Sequence, residues 1–256
     1  MSTTSLAVQM FTVREYMKTA QDAVRTFRKL KSQGLEAVQT NPLDFFEPEA
    51  LKRVLADEGL ILCGTHTGFE RVRDETEVVI DEQLFWQCKY VTISSMPVEY
   101  RSEGAEGFQR FAREASEVAH KLSERALMLC YHNHSFEFER FGAKRGLEIL
   151  FEESDPDGLQ FEIDTYWVQH GGCDPVAWLR KGKGRADLVH LKDMAMRGSE
   201  QLFAGVGEGN LDWSGILDAC REAGTKWHIV EQDRCQRDPF ESLEISLRNL
   251  HALGLK

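Results

Sequence analysis

Five short stretches of this 256-residue chain concentrate side chains that can bind a cation or move a proton. They read Thr65-His66-Thr67, then Tyr131-His132-Asn133-His134 with Glu137 and Glu139 just beyond, then Glu162-Ile163-Asp164-Thr165, His190-Leu191-Lys192-Asp193 and Glu231-Gln232-Asp233. Carboxylates and imidazoles drawn to one point form a hard oxygen and nitrogen site. Such a site suits one divalent cation (Mn²⁺, Mg²⁺, Co²⁺ or Zn²⁺) and leaves positions free for substrate or water. A lone Asp or His in such a stretch is as readily a helix cap or a structural hydrogen-bonder. A carboxylate, a carboxylate, an imidazole and a carboxylate from successive segments are not explained that way.

The stretches matter only if the fold brings them together. Each closes or follows a short apolar, β-rich run, and amphipathic runs separate them. The spacing predicts strands over Leu6–Thr12, Leu35–Gln39, Leu60–Gly64, Tyr90–Ser94, Ala126–His132, Leu159–Asp164, Ala186–Leu191 and Trp227–Glu231. Between and after them it predicts helices over Thr19–Ser32, Pro48–Asp57, Glu75–Cys88, Gly107–Glu124, Lys144–Glu153, Asp174–Lys181, Trp213–Ala223 and Pro239–Leu253. Eight alternating units in a chain of this length are the arithmetic of a closed (β/α)8 barrel, read as one domain over residues 1–256. In such barrels the chemistry sits at the C-terminal ends of the strands, where the five stretches fall. A doubly wound open sheet is the alternative, but no glycine-rich phosphate loop follows any strand. Strands one, two and four end in mostly neutral groups, namely Gln9, Thr12, Gln39, Ser94 and Ser95.

Composition narrows the function further. Lys and Arg total 31 against 42 Asp and Glu, so the net charge is −11, which is unfavourable for gripping a nucleic-acid backbone. No apolar run approaches the ~18 residues of a membrane span, and Met1–Met10 lacks the charged and apolar regions of a leader, so a cytoplasmic location is expected. The cysteines at 63, 88, 130, 173, 220 and 235 form no CxxC pair and read as reduced thiols.

The motifs YHNHSFEF, DTYWVQHGGCDP, HLKDM, VGEGNLDW and IVEQD resemble the sugar phosphate isomerase/epimerase superfamily of xylose-isomerase-like barrels. That group includes ketose 3-epimerases, inosose dehydratase and apurinic endonucleases of the endonuclease IV type. The resemblance runs from strand three to strand eight, and the first two strands add only spacing. It implies a divalent cation held by Glu137, Asp164, His190 and Glu231, with Glu139 as a rival to Glu137. Ketose epimerase relatives carry their first Glu on the strand itself, where this chain has His132. His132 or His134 therefore faces the metal or the substrate. His190 is expected as a neutral imidazole oriented through its second ring nitrogen.

The resemblance also implies the chemistry. A cation chelating a carbonyl oxygen and a neighbouring hydroxyl acidifies the adjacent C–H and stabilises the enediolate. Glu137 and Glu231, one on each face, then remove and return the proton, with His132 as a further acid/base candidate. Lys192 follows His190 by two positions and so shares its side of the strand. It stabilises developing charge, or else it pairs with Glu162 or Asp164. His66, His134, Trp167, His170 and Glu208 are the expected substrate contacts. Trp167 stands where several relatives carry His, and Gly205, Gly207 and Gly209 give the loop around Glu208 the freedom of a lid.

The expected function is a metal-dependent isomerase or epimerase of a ketose or keto-sugar. The runner-up is a lyase or dehydratase acting on a keto-inositol or 3-keto-glycoside at the same site. Endonuclease chemistry needs further metal ligands where this chain has Ser94-Ser95-Met96 and Trp167. A non-catalytic barrel subunit would bind no metal. The expected partner is a small sugar or polyol, and relatives are often dimers or tetramers, so a homo-oligomer is possible on the same ground.

Overall fold

The computed structural model describes residues 6–41, 43 and 46–255. Met1–Ser5, part of the stretch read for a leader, lie outside them. Eight parallel strands form a closed barrel: β1 (Leu6–Gln9), β2 (Ala37–Thr40), β3 (Ile61–Thr67), β4 (Tyr90–Ile93), β5 (Met128–His132), β6 (Gln160–Asp164), β7 (Leu188–Leu191) and β8 (Trp227–Val230). Each strand pairs with its neighbours in chain order, and β8 closes on β1 through Leu6 beside His228.

The barrel is layered by the two-residue period of its strands. Ala7, Ala37, Cys63, Tyr90, Cys130, Leu188 and Ile229 form one buried cluster with a residue from nearly every strand. Two positions further along, the same side of five strands carries Gln9, Gln39, His132, His190 and Glu231, all buried. The site is therefore the polar layer stacked on an apolar plug.

The helices pack outside. Ala105–Ser123 buries Phe108, Phe111, Ala112, Ala115, Ala119 and Leu122 at helical spacing. The Thr19 hydroxyl caps Ala20–Ser32 by accepting from the Asp22 amide at 3.1 Å. Asp174 caps Pro175–Lys181 with proline in the first turn.

Three expectations shift. The first strand stops at Gln9 rather than Thr12, because the Gln9 side chain accepts from the Phe11 amide and turns the chain into a 3₁₀ segment, Met10–Tyr16. The third strand runs on to Thr67, past a register shift opposite Val38/Gln39, and so carries His66 itself. The long loop after strand seven holds an antiparallel hairpin, Asp193–Arg197 with Glu200–Ala204. Short helices the periodicity did not announce, among them Thr165–His170, follow strand ends directly.

Candidate metal centre

Strands β5 to β8 deliver His132, Asp164, His190 and Glu231 to one point. All four are buried, and one donor atom from each lies within 4.8 Å of the others. Parallel pairing sets Asp164 level with His190. His190 Nδ1 is 3.0 Å from Glu231 Oε2 and 3.7 Å from Asp164 Oδ2, and His132 Nε2 is 3.3 Å from Asp164 Oδ2.

The hydrogen-bond pattern shows what these groups lack. His132 Nδ1 lies 3.3 Å from the Ser94 carbonyl, which can only accept, so this nitrogen carries the proton. His190 Nε2 lies 2.7 Å from Gln39 Oε1, also an acceptor. A neutral imidazole has one N–H, so each ring, when neutral, turns a lone pair toward carboxylate oxygens. With both rings neutral, two lone pairs and two carboxylates face one another, an arrangement that a positive charge in its midst offsets. This donor set fits a divalent cation.

Lys192 is the ammonium at hand. Its Nζ lies 2.6 Å from Glu231, 2.8 Å from Asp233 and 3.0 Å from Asp164, and its side chain is fully buried. Burial opposes the charge, but these carboxylates outweigh it and push the Lys192 pKa up. For Asp164 and Glu231 burial acts upward, yet Lys192 and the histidines hold both well below the usual carboxylate range. For His190 burial acts downward, and Glu162 and Glu231 on either side reverse it strongly.

Glu137, expected as first ligand and base, is not in the cluster. It is fully buried on the turn Phe136–Phe138, where Tyr131 donates to Oε1 at 2.6 Å and the His134 amide to Oε2 at 2.9 Å. The chain turns its carboxylate back toward β5, and burial lifts its pKa to about 7 against those two hydrogen bonds. Glu139 is exposed, so His132, the residue on the strand, is the one that faces Asp164. His134 stands edge-on to His132 and beside Trp167. Burial, with His132 and Lys192 nearby, lowers its pKa to about 3, and its Nδ1 is buried without a partner. Trp167 is half-buried with Phe203 of the hairpin against it, and both rings border Lys192.

His66 is buried, 2.7 Å from Glu162, and parallel to His190 at 5.3 Å. His170 is exposed at the end of the Thr165–His170 helix, against Tyr166. Glu208 pairs with Arg237 at 3.0 Å and so ties the loop after β7 to the one after β8. Neither His170 nor Glu208 is among the clustered groups. The glycine loop is also held: the amides of Gly207 and Gly209 both donate to Asp193 at 2.9 Å, with the Trp213 indole N–H at 2.7 Å. A Cβ at Gly209 would sit 2.3 Å from the Asp193 carboxylate, so that glycine serves close approach.

Gln9, Gln39, Glu162 and Asp233 belong to the site's surroundings and were not read as functional. Glu162 precedes Asp164 by two residues, so strand period alone places it on the same side. Nothing in the chain order announces that Gln39, 151 positions from His190, meets its ring.

A buried cluster of imidazoles and carboxylates that could hold a cation, at the C-terminal mouth of a closed (β/α)8 barrel and above an apolar plug, defines a class of barrel proteins. Residues 27–252 match the xylose isomerase-like TIM barrel family, and the chain belongs to that family. It is similar to an inosose dehydratase of Lacticaseibacillus casei, 27% identical over 154 residues, covering 52% of this chain and 50% of that protein. An inosose dehydratase of Geobacillus thermodenitrificans is 28% identical over 139 residues, 46% of this chain and 45% of that protein. The match thus spans about half the length of these curated relatives. Among solved structures, a sugar phosphate isomerase/epimerase from Parabacteroides distasonis superimposes with a TM-score of 0.82 at 21% identity, covering 98% of this chain and 95% of the other. An L-ribulose 3-epimerase superimposes at 0.73 with 15% identity, covering 98% and 94%. At these identities the structural likeness establishes the fold.

Proposed function

We propose that this barrel is a divalent-metal-dependent isomerase or epimerase that removes a proton next to the carbonyl of a ketose or keto-polyol. The observation that carries the reading is the convergence of His132, Asp164, His190 and Glu231. These four would hold the cation, which when bound supplies polarisation of a carbonyl oxygen and so acidifies the neighbouring C–H.

The remaining steps belong to the chain. Glu231, at the mouth and held as a carboxylate, accepts the proton. Lys192, 2.6 Å away, offsets the charge on the substrate oxygen and keeps Glu231 ionised between turnovers. The unpartnered Nδ1 of His134 meets a substrate hydroxyl. Trp167 and Phe203 offer the apolar face of a sugar a wall and exclude water from the proton transfer.

With Glu137 turned away, Glu231 is the single carboxylate of the expected pair at the cluster. One base on one face suits a proton shift between adjacent carbons. The same placement, with a lysine ammonium beside the base, also suits loss of a β-hydroxyl. That second reading, dehydration of a keto-inositol, is favoured by the similarity to inosose dehydratases.

The test is an assay of Mn²⁺-loaded protein in D₂O with a panel of ketoses and a keto-inositol, read by NMR. Deuterium wash-in at the carbon next to the carbonyl is expected. An isomerised or epimerised sugar supports the first reading, and an unsaturated or deoxy product the second. Neither exchange nor product on any member, with metal bound, overturns both.

A further inference from the structure

Beside the four converging groups lie polar side chains that the reaction does not use: Gln9 on β1, Gln39 on β2, His66 on β3 and Glu162 on β6. All are buried, Gln9, Gln39 and Glu162 completely. Gln39 Nε2 lies 2.6 Å from Glu162 Oε1, Gln9 Nε2 2.8 Å from Gln39 Oε1, and His190 Nε2 2.7 Å from that same Gln39 oxygen and 3.0 Å from Glu162 Oε1 itself. His66 Nε2 lies 2.7 Å from the other Glu162 oxygen.

The donor and acceptor roles in this chain are forced one after another. A carboxylate offers only acceptors, so Gln39 must turn its NH₂ to Glu162. Its carbonyl oxygen then faces Gln9 and His190, and both must donate to it. The opposite amide orientation would set the Gln39 NH₂ against the Gln9 NH₂ and its oxygen against a carboxylate. His190 Nε2 therefore carries the proton, and the lone pair of a neutral ring falls on Nδ1, toward Asp164 and Glu231. His66 pins the second Glu162 oxygen and stops the carboxylate from rotating.

We infer that Glu162 is a positioning residue: directly, at 3.0 Å from Nε2, and through Gln39, it fixes the Nε2–H tautomer of His190 and aims the Nδ1 lone pair at the cation position. The inference rests on the metal-site reading above. It adds a buried carboxylate on the same strand face as Asp164, and a glutamine from β2, to what governs that site. Outer partners of ligating histidines typically carry 10–100-fold in metal affinity.

The experiment compares wild type with Glu162→Gln, Glu162→Asp and Gln39→Met. Mn²⁺ affinity is measured by calorimetric titration, and the ring N–H protons of the Zn²⁺-loaded protein are observed by ¹⁵N-resolved NMR. Folding is checked by circular dichroism. Glu162→Gln keeps the volume and loses the charge, whereas Glu162→Asp keeps the charge and loses a methylene. Positioning predicts affinity in the order wild type, Asp, Gln, with the Gln variant about 10–100-fold weaker and its His190 Nε2–H resonance shifted or lost. A packing role predicts the reverse order of the two variants. Gln39→Met removes the amide acceptor while the direct Glu162 contact stays, so it weakens affinity less than Glu162→Gln, by about 10-fold, and unchanged affinity here overturns the inference if neither Glu162 variant folds. Variants that bind Mn²⁺ as tightly as wild type overturn the inference, whereas wild type that binds no divalent cation overturns the metal reading instead.

Discussion

Lys192 sets the charge balance of the site. It lies within 3.0 Å of three carboxylates that would otherwise repel one another inside the barrel. Lys192→Met is expected to lower kcat by about 10²–10³-fold, the cost of removing one stabilising donor from a buried site. Steady-state kinetics at saturating Mn²⁺ check this, and an unchanged kcat removes Lys192 from the mechanism. Glu137 makes a different prediction. Its carboxyl keeps its proton to about pH 7 when folded, against an ordinary value of 4.5. The native state thus binds more protons than the unfolded chain between those values, so this group makes stability fall as pH rises through that window. The loss is on the order of 3 kcal/mol, at about 1.4 kcal/mol per pH unit. Urea unfolding at several pH values should show this slope in wild type and not in Glu137→Gln. The types of both residues were legible in the sequence. That Lys192 faces Asp164 followed from strand alternation, but the inward turn expected of Glu137 did not occur, because local hydrogen bonds from Tyr131 and the His134 amide claim it.

The loop after β7 shows how a segment can read as mobile and be built as anchored. Its glycines allow the backbone to wrap the Asp193 carboxylate, which accepts from the Met194, Gly207 and Gly209 amides and from the Trp213 indole. The hairpin it roots carries Phe203 against Tyr166 at 4.2 Å. Asp193→Ala strands several buried donors and is expected to cost about 3–5 kcal/mol, the range for breaking a buried charged network. Thermal melting should show the loss, and limited proteolysis should cut between residues 197 and 211. A protease-resistant loop in a folded Asp193→Ala variant would show that other contacts hold it. The strands and helices themselves were largely legible, because burial on both faces leaves apolar runs and caps such as Thr19 and Asp174 are local signals. The hairpin and the turn after Gln9 were not, because the first is backbone pairing of Asp193–Arg197 with Glu200–Ala204 and the second depends on the Gln9 side chain reaching the Phe11 amide.

The closed barrel makes cation binding and folding one equilibrium. Four acceptors from β5 to β8 meet only when the barrel is closed, so a cation binding there stabilises the folded state alone. At 100 times Kd this amounts to about 2.7 kcal/mol. That raises Tm by about 5–10 °C for a chain of this size. Differential scanning fluorimetry with Mn²⁺, then with excess EDTA, should show the rise and its reversal. His190→Ala should abolish the shift, whereas His170→Ala should leave it, since His170 is exposed on a helix end. No helix among the described residues is long and apolar enough to cross a membrane.

The eightfold strand–helix alternation, the strand-end motifs and the oxygen and nitrogen chemistry of the cluster all stand in the linear order of residues. Periodicity and composition are local, and they act through burial wherever the chain goes. Tertiary structure alone decided that His132 rather than Glu137 faces Asp164. It also decided that Glu162 meets His190 rather than Lys192, and that Gln9 and Gln39 border the site. Those outcomes depend on which acceptor each polar hydrogen reaches, across up to 151 positions of sequence, and that is settled only when the barrel closes.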